Sequence, residues 1–216
     1  MTTEKARYYM ENMEEAAHRD RVFLNNPVIF HTLGIAPLVV VDTSAQNALM
    51  LFAAVVLLLL PVRLLGTLLA SRMPGVMRPI GTCTIAALVY IPVYFALSTL
   101  FQQKLLALGI YLPMLVCEPL ILQRFEHQPD KNLRETLWKG VSFTVGYGLI
   151  LLLLGLLREV LGTGTLFGVA VAQAGLFPLA GMPVGGFILL GLLAACWRGL
   201  VNAFKLYVYK EAKREV

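Results

Sequence analysis

Two acidic residues, Asp42 and Glu118, each follow an apolar stretch that glycine and proline interrupt. The first stretch is LGIAPLVVVD, from Leu33 to Asp42, and the second is LGIYLPMLVCE, from Leu108 to Glu118. An ionisable side chain in or beside an apolar span costs free energy, so it usually has a function or a partner. We therefore predict Asp42 and Glu118 as ion-path candidates. For Asp42 we favour a helix cap over an ion-handling function, because DTSAQNAL places Asp, Thr and Ser before an apolar run.

Glu118 is followed by Pro119, which lacks an N–H group and frees a carbonyl one turn earlier. Three interpretations of the Glu118 side chain remain open. It is protonated and has no function, it pairs with an arginine of a neighbouring subunit, or it lines a water-filled path. A second charged position, Arg158-Glu159, ends a later apolar run. We expect this pair to be an interfacial ion pair or to mark a helix terminus.

The sequence offers no catalytic set. The histidines are dispersed, at His18, His31 and His127. The cysteines lie singly in apolar runs without CxxC spacing, at Cys83, Cys117 and Cys196. They predict neither a disulfide framework nor a zinc site, and we expect them to be buried packing residues. If the chain takes part in an enzyme, it does so as a subunit.

The composition is typical of a membrane protein. Of 216 residues, 58% are hydrophobic and 14% charged, and the mean hydropathy is +0.73. The start, MTTEKARYYMENMEEAAHRDR, has no apolar region, so we expect a polar surface segment and no cleaved signal peptide. The net charge of +5 is scattered between apolar runs, so nucleic acid is not expected as a partner.

Apolar runs predict six transmembrane helices, the first of them short: 27–41, 47–66, 79–100, 105–124, 138–157 and 183–204. In this arrangement all of the 18 Lys and Arg residues except Lys104 and Arg158 lie on one side of the membrane. By the positive-inside rule both termini are cytoplasmic. We therefore divide the chain into a cytoplasmic segment (1–26), a membrane domain (27–205) and a basic cytoplasmic tail (206–216).

The two interrupted stretches fall in predicted spans 1 and 4, which cross in opposite directions. This pattern predicts an all-α membrane protein built from two inverted three-helix repeats. In such proteins broken helices meet near the middle of the bilayer and leave backbone groups free for an ion, a substrate or a cofactor. The last two spans also carry faces of small residues, which favour helix packing within the protein or against another subunit.

Three stretches resemble the RnfE/NqrD family, the integral membrane subunits of Rnf and NQR ion-pumping electron-transport complexes. They are Asn26 to Leu49 (NPVIFHTLGIAPLVVVDTSAQNAL), Leu108 to Arg124 (LGIYLPMLVCEPLILQR) and Leu157 to Phe167 (LREVLGTGTLF). The resemblance covers about residues 25 to 205. The third stretch and the TSAxNAL ending favour this branch over the sister RnfA/NqrE branch.

The resemblance implies a six-helix subunit in the plasma membrane of a prokaryote, paired with an RnfA-like sister of opposite orientation. It implies flavins and iron–sulfur clusters in the partner subunits and Na⁺ or H⁺ as the transported ion. The chain is then expected to be one part of a translocase, without catalytic activity alone. The alternatives are a small inverted-repeat carrier, as broken helices are general in carriers, or a purely structural membrane subunit.

The chain departs from the family at the cluster ligands. Family members have Cys where this chain has Ala36 and Pro119. The resemblance implies that these thiolates and those of the sister subunit share a [2Fe-2S] cluster. Cys117 is a weak substitute, because two residues along a helix turn a side chain by about 200°. We therefore expect a divergent subunit without the usual cluster ligands, in which Glu118 beside the vacated position serves as an ion or proton group.

Overall fold

The structure is a computed structural model that describes residues 12, 20–70, 72, 74–122, 133–172 and 175–213. Most of the predicted segment 1–26 lies outside these residues, and so does much of the predicted basic connection around Arg124 and Lys131.

The chain begins with two short helices, α1 (Pro27–His31) and α2 (Ile35–Val40). Asn26 caps α1 by accepting hydrogen bonds from the N–H groups of Val28 and Ile29. The helix ends at Thr32, and Gly34 then has φ of 67°, a left-handed conformation that favours glycine. Predicted span 1 is therefore two short helices separated where LGIAP begins.

Two long helices follow, α3 (Ala45–Ala70) and α4 (Arg78–Phe101), with a short 3₁₀ turn (Gly75–Met77) before α4. Both contain an internal proline, Pro61 and Pro92, and still continue as single helices. They match the predicted spans 47–66 and 79–100 with longer ends.

The second interrupted segment is a series of short helices. A 3₁₀ helix (Gln102–Leu108) precedes α5 (Tyr111–Met114), a second 3₁₀ helix (Leu115–Cys117) and α6 (Pro119–Leu122). Gly109 has φ of 51° at the first break. Glu118 is extended (φ −65°, ψ 138°) at the second break, as expected for a residue before proline. Predicted span 4 is thus not a continuous helix.

The last part contains α7 (Leu133–Thr163) and α8 (Pro183–Ala212). Between them a small antiparallel pair, β1 (Thr165–Leu166) and β2 (Val169–Ala170), precedes a 3₁₀ helix (Pro178–Gly181). The described residues are otherwise helical or irregular, and Phe167 and Gly168, both with positive φ (52° and 80°), form the turn that closes this hairpin. The last helix also continues through most of the predicted tail.

The centre of the protein is the contact between α3 and α7. The α1–α2 segment packs on α7 and α8, whereas the second interrupted segment packs on α3 and α4. About half of α3 and α7 is buried within the chain, whereas only about a fifth of α4 and α8 is buried. These outer helices carry large apolar side chains on their exposed faces, as in a protein surrounded by lipid or by other membrane subunits.

Four of the described helices, α3, α4, α7 and α8, are long and apolar enough to cross a bilayer. The chain is therefore an α-helical, multi-pass membrane protein.

Replacing Gly34 with alanine is expected to destabilise the fold strongly. A Cβ atom there would lie 2.6 Å from Cε2 of the fully buried Tyr147 ring, and its φ is unfavourable for alanine. The two effects together predict a loss of about 3 kcal/mol in the free energy of unfolding. Gly168→Ala is the matched control, because Gly168 also has positive φ (+80°) but no atom within 4 Å of an added Cβ.

The control is expected to cost about 1 kcal/mol. Thermal or denaturant unfolding of the detergent-solubilised variants measures the difference. Equal losses in the two variants would contradict a specific role for the Gly34–Tyr147 contact.

Candidate functional site

Helix α7 holds the first interrupted segment at two points. The Tyr147 hydroxyl donates a hydrogen bond to the carbonyl of Gly34 (3.3 Å), and the Asn26 side-chain amide donates to the carbonyl of Gly146 (2.8 Å). Both hydrogen bonds tie the first interrupted segment to the middle of α7.

Arg158 is completely buried and satisfies backbone carbonyls where α2 ends. Its guanidinium donates to the carbonyls of Leu38 (3.2 Å), Val39 (2.8 Å) and Asp42 (2.7 Å). It also donates to three carbonyls before α8, those of Ala180 (2.8 Å), Gly181 (3.4 Å) and Met182 (3.2 Å). The last carbonyls of a helix have no partner inside it, and a cation is favourable at that end.

Glu159, the next residue, binds the N-terminus of a helix, whereas Arg158 binds a C-terminus. Its Oε2 accepts from the N–H of Ala45 at the start of α3 (2.8 Å). Its Oε1 accepts from the Thr165 hydroxyl (3.2 Å) and from the N–H of Gly168 (3.0 Å) in the hairpin. A carboxylate at a helix N-terminus pairs with free N–H groups and with the positive end of the helix dipole.

The prediction that Arg158-Glu159 marks the terminus of its own helix is wrong, because α7 continues to Thr163. The two residues instead bind the ends of other helices, Arg158 the C-terminus of α2 and Glu159 the N-terminus of α3. A sequence motif could not reveal this, since the contacted residues lie more than 100 positions away.

Asp42 lies between α2 and α3 and is completely buried. Among the described residues neither of its carboxylate oxygens has a hydrogen-bond partner. The cap of α3 comes instead from Glu159 and from Ser44, whose hydroxyl accepts from the N–H of Asn47 (3.2 Å). Burial raises the pKa of Asp42 well above its ordinary value, and the charge of Arg158 opposes this increase only in part.

Ala36 and Pro119 are both exposed, Ala36 within α2 and Pro119 as the first residue of α6. Neither side chain has a metal-binding atom. Among the described residues there is also no group of three or more His, Cys, Asp or Glu arranged to hold a metal ion. Glu118, before Pro119, is half-buried.

The cysteines are not the buried single residues that the sequence predicted. Cys83 is half-buried, whereas Cys117 and Cys196 are exposed. The Sγ atoms of Cys83 on α4 and Cys117 in the second interrupted segment lie 3.5 Å apart. Their separation of 34 positions matches no metal or redox spacing, so sequence reasoning missed the pair.

Long apolar helices, two interrupted segments and charged residues that bind the ends of the interruptions define a class: multi-pass membrane proteins with broken helices. The family model described as "Rnf-Nqr subunit, membrane protein" matches residues 16–194. The chain is 34% identical over 203 residues to the E subunit of the ion-translocating oxidoreductase complex from Shewanella oneidensis, covering 86% of this chain and 87% of that protein. It is 35% identical over 188 residues to the protein of the same name from Shewanella frigidimarina, covering 79% and 81%. The chain therefore belongs to the Rnf-Nqr family, and the resemblance seen in the three sequence stretches is confirmed.

Arg158→Lys is expected to destabilise the protein although it keeps the charge. A lysine has three N–H donors on one atom and cannot reach the six carbonyls that Arg158 binds. With each buried, unsatisfied carbonyl costing at least about 1 kcal/mol, the free energy of unfolding should fall by about 3 kcal/mol or more.

The matched control is Arg198→Lys on α8, where the exposed arginine donates to the Ile29 carbonyl (2.9 Å). This variant is expected to lose about 1 kcal/mol at most. Unfolding of both variants in the same detergent measures the difference, and a loss in Arg158→Lys no larger than in the control would refute the capping role.

Asp42→Asn is expected to stabilise the protein at neutral pH and to have little effect in acid. A carboxyl group whose folded pKa is raised supports folding fully below its unfolded pKa of about 3.9, and this contribution is lost as the pH rises through the folded pKa. Thermal unfolding of both proteins between about pH 4 and about pH 8 tests this. Identical pH profiles would show that the ionisation of Asp42 does not limit stability.

Proposed function

We propose that this chain is the E-type membrane subunit of an ion-translocating oxidoreductase complex. The observation that carries the proposal is identity of about a third to proteins of that name over most of both chains. The matched region contains both interrupted segments and the Arg158-Glu159 pair. Arg158 and Glu159 stabilise the backbone where α2 ends and where α3 begins.

The proposal includes six membrane crossings in two inverted halves, with both termini in the cytoplasm of a prokaryotic cell. The four long helices and the two interrupted segments supply the six crossings. The packing supports the repeat, because the interrupted segment of each half contacts both long helices of the other half. Such an exchange is expected when two related halves interlock around a pseudo-twofold axis.

The proposed partner is a sister subunit of the RnfA type in the opposite orientation, within a larger Rnf-type complex. The exposed apolar faces of α4 and α8 support an assembly in the membrane, since both helices bury little surface within the chain. Flavins and iron–sulfur clusters belong to the partner subunits.

The [2Fe-2S] cluster implied by the family does not fit the residues at its ligand positions. Ala36 and Pro119 carry no sulfur, and iron–sulfur clusters are held by thiolates. Cys117 does not replace them, because one thiolate in the second interrupted segment cannot supply two missing ligands. We infer that the interrupted segments are retained for architecture and for contacts with the partner.

Asp42 and Glu118 are the proposed ion-path residues, for Na⁺ or H⁺. Asp42 supports this with a buried carboxylate that no described residue hydrogen-bonds. Glu118 supports it with a half-buried carboxylate at a break in a helix. The same observations favour a small carrier as the second candidate function, because carriers bind ions at broken helices.

Anaerobic purification of the tagged chain from its native membrane tests the main proposal. Mass spectrometry is expected to identify flavin-bearing and iron–sulfur subunits as companions, while the electron paramagnetic resonance spectrum lacks a [2Fe-2S] signal from the membrane pair. The double variant Ala36→Cys with Pro119→Cys restores both thiols and is expected to gain that signal. The control Ala195→Cys places a thiol on the exposed part of α8 and should gain none.

Isolation without any redox subunit would favour the carrier. A membrane cluster signal in the unmodified chain would show that other residues act as ligands.

Glu118→Gln is expected to lower coupled ion uptake by inverted membrane vesicles, because the amide removes the charge and the titrating proton. The control is Glu135→Gln on α7, where the exposed carboxylate pairs with Lys139 (2.6 Å) one helical turn away. Initial rates of Na⁺ or H⁺ uptake measure the effect. An unchanged rate in Glu118→Gln removes this residue from the ion path.

A further inference from the structure

Two thiols that are distant in sequence lie close enough to share one metal ion. The Sγ atoms of Cys83 and Cys117 are 3.5 Å apart. Two thiolates on a tetrahedral ion, each with a metal–sulfur distance of about 2.3 Å, lie about 3.8 Å from one another. The pair therefore needs a displacement of only a few tenths of an ångström to bind an ion in this way.

Each thiol is positioned by a regular element. Cys83 lies in the second turn of α4, five residues after Arg78, which begins that helix. Cys117 ends the 3₁₀ helix Leu115–Cys117, and the extended residue Glu118 then leads into Pro119. Proline disfavours a helical conformation for the residue before it, here Glu118. The 3₁₀ helix therefore ends at Cys117, and this fixes the position of the Cys117 side chain.

The charge of such a site suits a membrane protein. Binding a divalent ion converts two S–H groups into two metal–sulfur bonds and releases two protons to water, with no oxidation or reduction. The bound pair is neutral, so it carries no net charge into the apolar surroundings, whereas free thiolates would. A soft, thiophilic ion is the class that thiolates select over Mg²⁺ or Ca²⁺.

The site is accessible and incomplete. Cys117 is exposed, and Cys83 is half-buried in the second turn of α4. No third His, Cys, Asp or Glu among the described residues completes a metal site. The remaining coordination positions are therefore open to water or to a ligand from another molecule.

We propose that Cys83 and Cys117 bind one thiophilic metal ion as a pair of thiolates. This site is distinct from the family ligand positions at Ala36 and Pro119. The proposal rests on the geometry of the two thiols and does not depend on the function proposed above.

Cadmium binding by the full-length chain in detergent tests the proposal. After reduction with a phosphine, one Cd²⁺ per chain is expected to bind, with a sulfur-to-cadmium charge-transfer band in the ultraviolet. Cys83→Ser and Cys117→Ser should each abolish this band. The control Cys196→Ser removes the exposed cysteine of α8 and should bind Cd²⁺ as the unmodified chain does.

A second measurement uses the unmodified chain and so does not depend on the folding of any variant. Cd²⁺ is expected to slow alkylation of Cys83 and Cys117 by a maleimide, read by peptide mass spectrometry, without protecting Cys196. Mg²⁺ should protect none of them. If Cd²⁺ gives no band and no protection, the two thiols form only a hydrogen-bonded pair and the proposal fails; equal protection of Cys196 would overturn it as well.

Discussion

Backbone groups at the interruption of a helix need partners that lipid cannot provide, and the fold depends on how they are supplied. Arg158 and Glu159 supply them from consecutive positions of α7. Arg158 binds carbonyls at the end of α2 and before α8, and Glu159 binds N–H groups at the start of α3 and in the hairpin. The guanidinium of Arg158 donates to carbonyl groups, and the carboxylate of Glu159 accepts from N–H groups. These two adjacent residues therefore fix four parts of the chain relative to α7.

The interruptions also depend on close contacts that leave no room for larger residues. Gly34 adopts a positive φ against the ring of Tyr147, whose hydroxyl bonds the Gly34 carbonyl. Asn26 caps α1 and bonds the carbonyl of Gly146. These contacts involve neither Ala36 nor Pro119, so the framework around Gly34 does not depend on the side chains at these two positions.

The positions of two sulfurs and of one buried carboxylate depend on tertiary contacts. The two sulfurs that lie together come from α4 and the second interrupted segment. Asp42 adds a buried carboxylate next to Arg158, and its raised pKa reflects the balance of burial against that positive charge. Both features bring together groups that are distant along the chain.

The sequence alone determined the membrane class, the family and the places where the helices break. Apolar length, the Gly and Pro positions and the three motif stretches are local properties, and each acts within a few residues. Tertiary structure decided which side chains bind the free backbone groups at these breaks and which side chains contact one another. Arg158 reaches carbonyls more than 100 residues away, the carboxylate of Asp42 is buried instead of capping α3, and Cys83 meets Cys117. These outcomes follow from helix packing, because a low-dielectric interior makes every unpaired polar group costly and so selects partners by position in space and not in sequence.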